Sequence, residues 1–199
     1  MINNYNVARF LTSVDVWNTD NIYPYGMEIA FSGYSNSGKS SLINCLTNNN
    51  KLARCSKFPG CTKMINFFQV TSDFRIVDLP GYGYSKRCKN EKKKINNLIF
   101  NYLKQRKYLK GLILLIDIRR LMRLIDYNIL KLSKTRNINI LIILTKCDKI
   151  TVQSQKKQLY ILKNQLFPDF RNIEIIIFSS FKKIGVDKIL NIINIWMIK

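Results

Sequence analysis

Histidine is missing altogether from this 199-residue chain, so no imidazole is available as general base, metal ligand or switch near neutral pH. Acids are scarce: 12 Asp and Glu stand against 33 Lys and Arg, a net charge of +21. A surplus of that size favours a polyanionic partner, with nucleic acid leading the candidates. Abundant Ile, Asn and Lys point to A/T-rich codons as a second source of lysine, although codon bias does not explain so few acids. The five cysteines, Cys45, Cys55, Cys61, Cys88 and Cys147, form no C-x-x-C pair and are odd in number, so they suggest neither a zinc cluster nor a disulfide framework and fit a reducing cytoplasm. The longest apolar runs, Leu112 to Ile116 and Ile138 to Leu144, fall far short of the roughly 18 residues a membrane span needs. Residues 1 to 20 lack a basic-then-apolar leader pattern, so the chain is expected to be neither anchored nor exported. No Pro-, Gly- or Ser-rich linker and no repeat divides it, and 47% hydrophobic residues suffice for one core.

What is present is a regular alternation. Residues 1–26 are weakly periodic and end in Tyr-Pro-Tyr-Gly, so they read as a lead-in segment on the flank of a domain spanning 27–199. Met27 to Ser32 reads as a strand and Lys39 to Leu46 as a helix; Lys63 to Val70 and Phe74 to Val77 read as a hairpin. Ile95, Leu98, Ile99, Tyr102 and Leu103 recur at helical spacing and mark a helix from about Glu91 to Lys107. Leu112 to Ile116, Ile138 to Thr145 and Glu174 to Phe178 are unbroken apolar runs of the kind buried on both faces of a parallel sheet. Helices are expected over Leu121 to Thr135, Gln155 to Phe167 and Gly185 to Met197. The class is α/β, with a mostly parallel sheet of about six strands.

Between the first strand and the first helix stands Gly33-Tyr34-Ser35-Asn36-Ser37-Gly38-Lys39-Ser40, a match to G-x-x-x-x-G-K-[ST] in the context that defines a P-loop. The glycines let the backbone curl so that the N–H groups of Asn36 through Ser40 face the α- and β-phosphates. Lys39 is placed to reach the β/γ oxygens, and the Ser40 hydroxyl to enter a Mg²⁺ shell. Asp78-Leu79-Pro80-Gly81 sets an acid near the same Mg²⁺ and a glycine amide at the γ-phosphate. In Gly60-Cys61-Thr62-Lys63-Met64, Thr62 is the candidate second protein ligand for Mg²⁺. Thr145-Lys146-Cys147-Asp148 has the form [NT]-K-x-D: Asp148 can accept from the N1–H and exocyclic amine of guanine, a pairing adenine does not offer, while the Lys146 stem lies along the base. Phe178-Ser179-Ser180 stands where a loop amide would meet guanine O6.

In this order the elements resemble the translation-factor-like small GTPases. Ser41-Leu-Ile-Asn44, Leu52-Ala53-Arg54, Ser56-Lys57, Pro59-Gly60-x-Thr62, Val77-Asp-Leu-Pro-Gly-Tyr-Gly-Tyr84, Asp117-Ile-Arg119 and Phe178-Ser-Ser-x-Lys182-Lys183 look like the EngB (YihA/YsxC) family of ribosome-biogenesis GTP-binding proteins, in the TrmE-Era-EngA-EngB-septin-like superfamily. The resemblance implies a P-loop G domain with helices on both faces of the sheet, GTP/GDP and Mg²⁺ as ligands, and a role in large-subunit assembly linked with cell division and septation. The candidate nucleotide-binding set is residues 33–40, 60–64, 78–81, 145–148 and 178–180; Ser40, Thr62 and Asp78 are the metal set, and Lys39, Thr62 and Gly81 the catalytic set. Tyr34, Cys61 and Arg120-Leu121 depart from the family pattern, where Arg, Arg or Lys, and His-Pro are usual; none of them removes a nucleotide-binding group.

Tyr82 follows Gly81 where efficient GTPases often carry a water-orienting Gln, which predicts slow intrinsic hydrolysis. Asn36 matches the P-loop Asn with which relatives hold K⁺, making K⁺ a candidate cofactor. The expected partner is the large ribosomal subunit precursor, its rRNA and proteins, reached partly through Lys86, Arg87, Lys89, Lys92, Lys93 and Lys94; no DNA, no membrane and no second copy of the chain is expected. The competing readings are a signalling or septation GTPase with a protein partner, and a nucleotide-binding relic without turnover.

Overall fold

The computed structural model describes residues 5–17, 24–53, 63–83, 88–170 and 173–198. Seven strands, β1 (Arg9–Val14), β2 (Met27–Gly33), β3 (Ile65–Gln69), β4 (Phe74–Asp78), β5 (Leu109–Asp117), β6 (Asn139–Thr145) and β7 (Glu174–Ile177), form one sheet in the order β1-β3-β4-β2-β5-β6-β7. The pairs from β4 to β7 are parallel, while β3 runs antiparallel to both β1 and β4. α1 (Lys39–Leu46) and α5 (Val186–Ile198) cover one face; α2 (Lys89–Gln105), α3 (Leu124–Thr135) and α4 (Val152–Leu166) cover the other. The unbroken runs in β5 and β6 are buried on both sides, as their lack of alternation requires.

The expectation of about six strands is corrected to seven, the added strand being β1. Arg9–Val14 pairs with β3, with a bulge between Phe10 and Thr12. Side chains reinforce the ladder: Arg9 donates to Gln69 Oε1 at 3.0 Å, and Ser13 donates to Asn66 Oδ1 at 2.7 Å. No residue of β1 is buried, so the strand carries no strong apolar signal. Two helix starts also move. α3 begins three residues late, at Leu124, where Asp126 Oδ2 accepts from Arg123 N at 2.8 Å and caps the first turn. α4 begins three residues early, capped by Thr151 Oγ1 accepting from Ser154 N at 3.3 Å; its first residue, Val152, lies in water and adds nothing to the apolar period.

At the foot of β2, Glu28 is wholly buried between two arginines. Its carboxylate accepts from Arg75 Nε at 3.2 Å, Arg106 Nε at 2.8 Å, Arg106 Nη2 and the Tyr102 hydroxyl at 3.0 Å. One acid thereby joins β2, β4 and the C-terminal end of α2. Trp17 closes the cluster, edge-on to Tyr102 at 4.9 Å between centroids.

Candidate functional site

The opposite ends of the parallel strands carry the motifs, as expected where loops leave the carboxyl edge of such a sheet. Gly33 ends β2 with no room for a side chain, since a Cβ there would lie 2.5 Å from Ser37 Oγ and 2.7 Å from the Leu115 carbonyl. Asn36 and Gly38 take left-handed backbone angles, φ 65° and 97°, which curl the loop before α1 starts at Lys39. Ser37 N donates back to Tyr34 O at 2.9 Å. The buried hydroxyls of Ser35 and Ser37 have no hydrogen-bond partner among the described residues, which fits a loop built to face a polar ligand.

Lys39 and Asp78 meet at 2.7 Å, both buried. Leu79 N donates to Phe31 O at 3.0 Å, extending β4 beside β2. At Gly81 a Cβ would stand 3.0 Å from Ser35 Oγ and 3.1 Å from Ser35 Cα, so glycine lets this segment close on the P-loop. Ser35 N then donates to Tyr82 O at 2.9 Å. Ser40 sits half-buried in the first turn of α1, and Pro80 is buried. Lys63 pairs with Glu91 at 2.8 Å, and Met64 is exposed. Gly60, Cys61 and Thr62 lie outside the described residues, as do Lys86 and Arg87.

The Thr145-Lys146-Cys147-Asp148 segment is tied to the P-loop by side chains. Thr145 Oγ1 donates to Ser37 O at 2.6 Å. Lys146, in the left-handed region at φ 62°, donates from Nζ to Asn36 O at 2.6 Å and meets Asp117 Oδ2 at 3.0 Å. Its head thus pinned, its aliphatic stem spans the gap between. Asp148 Oδ1 accepts from Ser179 Oγ at 2.6 Å, and Oδ2 lies 3.3 Å from Lys149 Nζ. The Ser179 bond, opposed by burial and helped by Lys149, holds the Asp148 carboxyl below its ordinary range, so it stays an acceptor through mildly acid pH. Leu79, Cys147 and Phe178 have side chains in the core and can offer only main-chain groups, whereas Ser180 is exposed at the rim.

Asp117, Tyr82 and the Arg123–Tyr34 contact contribute in ways their motifs do not spell out. Burial alone would raise the Asp117 carboxyl, but hydrogen bonds from Arg119 and Lys146 outweigh it and hold the group well below the carboxylate range. Asp117 therefore stays ionised and orients Lys146, a role that the Asp117-Ile-Arg119 segment does not disclose by itself. The Tyr82 ring is buried with its hydroxyl donating to Asp126 Oδ1, and burial followed by the Asp126 charge pushes the phenol well above its ordinary value. The Arg123 guanidinium lies 3.7 Å from the centre of the Tyr34 ring, whose hydroxyl donates to Gly83 O. No spacing rule foretells these last two arrangements, which depend on tertiary approach.

A family model described as 50S ribosome-binding GTPase matches residues 28–146. The chain is 51% identical over 197 residues to the probable GTP-binding protein EngB of Buchnera aphidicola subsp. Schizaphis graminum, covering 98% of this chain and 97% of that one. It is 41% identical over 196 residues to the probable GTP-binding protein EngB of Pectobacterium carotovorum, covering 97% and 91%. A crystal structure of a probable GTP-binding protein engB superposes with a TM-score of 0.68 over 85% of this chain and 98% of that one; at 24% identity it bears on the fold.

Proposed function

The chain belongs to the EngB family of GTP-binding proteins, and from that premise we propose that it is a slow, Mg²⁺-dependent GTPase acting as a nucleotide-dependent switch in assembly of the large ribosomal subunit, needed for normal cell division and septation. The observation that carries the reading is the convergence of Lys39, Asp78, Lys146 and Asp148 on one edge of the sheet, with Thr145 and Lys146 bonded directly to the P-loop.

Among the described residues no group of three or more Asp, Glu or Cys gathers as an all-protein metal cage. That fits Mg²⁺, which takes one or two protein oxygens beside phosphates and water. Ser40 and Asp78 are the described residues that would hold it, with Thr62 as a further ligand; the ion would neutralise charge developing on the phosphates. The Asp78 carboxylate now facing Lys39 is the one assigned to the metal side, so triphosphate entry requires that pair to part. Lys39 then follows the β/γ oxygens, and the Gly81 amide senses the last phosphate.

Slow turnover follows from Tyr82. Its hydroxyl is committed to Asp126 and its ring to the core, so the residue after Gly81 has no group to orient an attacking water. Asn36 stands exposed on the loop, and its side chain is the candidate ligand for K⁺ beside the phosphates. A cation there would supply positive charge in place of an arginine finger. The GTPase rate is therefore expected to be higher in KCl than in NaCl; equal rates remove K⁺ from the site.

Lys89, Lys93 and Lys94 are exposed on the first turns of α2, directly after the γ-phosphate-sensing segment. With the net +21 they support contact with rRNA through about four to six phosphates. Sedimentation with ribosomal subunits should show most retention with a non-hydrolysable GTP analogue, least with GDP, and a fall of several log units of affinity per decade of salt. Binding insensitive to salt overturns the rRNA contact, and pull-downs free of rRNA favour a protein-partnered signalling or septation GTPase.

A further inference from the structure

The segment that follows Asp78 is held on two sides. Tyr82 runs beside Tyr34 in a parallel bridge, Ser35 N donates to Tyr82 O at 2.9 Å, and the Tyr34 hydroxyl donates to Gly83 O. Gly83 takes the left-handed angle φ 76°, and a Cβ there would overlap the Tyr34 ring, so the chain passes that ring only as glycine. On the far side the buried Tyr82 ring carries its hydroxyl to Asp126 Oδ1 in α3.

Asp126 divides its carboxylate between two partners. Oδ1 accepts from Tyr82, and Oδ2 accepts from Arg123 N at 2.8 Å, the bond that caps α3. The phenol and the carboxylate are 1% and 4% exposed, so solvent does not replace a partner that moves away. Arg123 itself returns to the same segment, its guanidinium 3.7 Å from the centre of the Tyr34 ring. The start of α3 is thus attached to residues 81–83 twice, once through Tyr82 and once through Tyr34. A shift at Gly81 has no slack beside it: Leu79 before it is in the core with its amide bonded to Phe31 O, and Gly83 after it is held by Tyr34. A turn of the Gly81 amide toward a phosphate therefore tilts Tyr82, and the tilt reaches the carboxylate that caps α3.

We propose that Tyr82 and Asp126 couple the γ-phosphate-sensing glycine to the start of α3, making that helix start a second nucleotide-reporting element beside the basic start of α2. Asp126 is a positioning residue that acts through Tyr82. The proposal rests on the reading of Gly81 as sensor of the last phosphate and adds where its state is delivered. Tyr34 belongs to the same device and stands where the family pattern has Arg, whose charge would repel Arg123 instead of receiving it.

The test is amide hydrogen exchange of the full-length protein, read residue by residue by NMR with GDP and with a non-hydrolysable GTP analogue, each with Mg²⁺. Exchange at the Arg123 amide reports the cap directly, because Asp126 Oδ2 is its acceptor. It should differ between the two nucleotides by roughly 5- to 150-fold, the ordinary span of coupling between sites. Tyr82→Phe keeps the ring and the cap and removes only the hydroxyl, so the Arg123 amide should then exchange equally under both nucleotides. Asp126→Asn keeps an acceptor for that amide and offers a donor to the phenol oxygen, and should keep the difference. The amide of Ser154, capped by Thr151 at the start of α4, is the control and should not respond. Equal exchange at Arg123 in the unsubstituted protein overturns the coupling, as does a difference that survives Tyr82→Phe, is lost in Asp126→Asn or is matched at Ser154. Calorimetry on the same samples separates two failures: nucleotides that bind without altering Arg123 exchange leave the GTPase reading intact, whereas a protein that binds neither loses both.

Discussion

Asp148→Asn is expected to invert the base preference: GTP affinity falls and xanthosine triphosphate becomes the tighter ligand, the ratio between the two moving by about 10⁴. The carboxylate presents two acceptors, which suit the N1–H and amine of guanine. An amide presents one acceptor and one donor, and xanthine offers a carbonyl where guanine has the amine. Ser179 Oγ, 2.6 Å from Asp148 Oδ1, is a donor that the amide oxygen can still satisfy, so the substitution exchanges specificity without orphaning the neighbour. Calorimetry with both nucleotides checks it, and undiminished GTP affinity in the variant would remove Asp148 from the base site.

Glu28→Ala is expected to lower stability by about 3–5 kcal/mol, the cost of stripping one partner from a buried ionic cluster. Arg75 and Arg106, 1% and 3% exposed, would keep their charges with no carboxylate between them. For a chain of this length that corresponds to a loss of roughly 6–20 °C in Tm. Glu28→Gln, which keeps the shape and two of the hydrogen-bonding positions, should fall between. A Glu28→Ala melt within about 2 °C of the parent would show that the arginines find other partners or water at small cost.

Legibility in the sequence follows how local the cause is. The P-loop can be read because its glycines, lysine and serine act within eight consecutive residues between a strand and a helix. α1 and α2 can be read because Leu42 and Ile43, or Ile95, Leu98, Ile99, Tyr102 and Leu103, bury one face of a short repeat. β1 cannot, because an edge strand with no buried residue shows little contrast between its faces. Glu28 inside Met27 to Ser32 has the look of an outward polar position; it is buried because arginines 47 and 78 residues later converge on it. In sequence Tyr82 registers only as the lack of a glutamine. Its actual attachment, to Asp126, lies 44 residues away and needs the packed fold to appear.

β2 is seven residues long, with the arginine-clasped acid near its start and the first P-loop glycine at its end. Durability and chemistry therefore sit at opposite poles of a single rod. Substitutions at the lower pole can soften the protein while its ligand preferences persist, and those at the upper pole can retire its enzymology while leaving a chain that still folds. A lineage carrying this protein could thus lose either property gradually, and heat sensitivity and nucleotide affinity measured side by side would tell which pole had drifted.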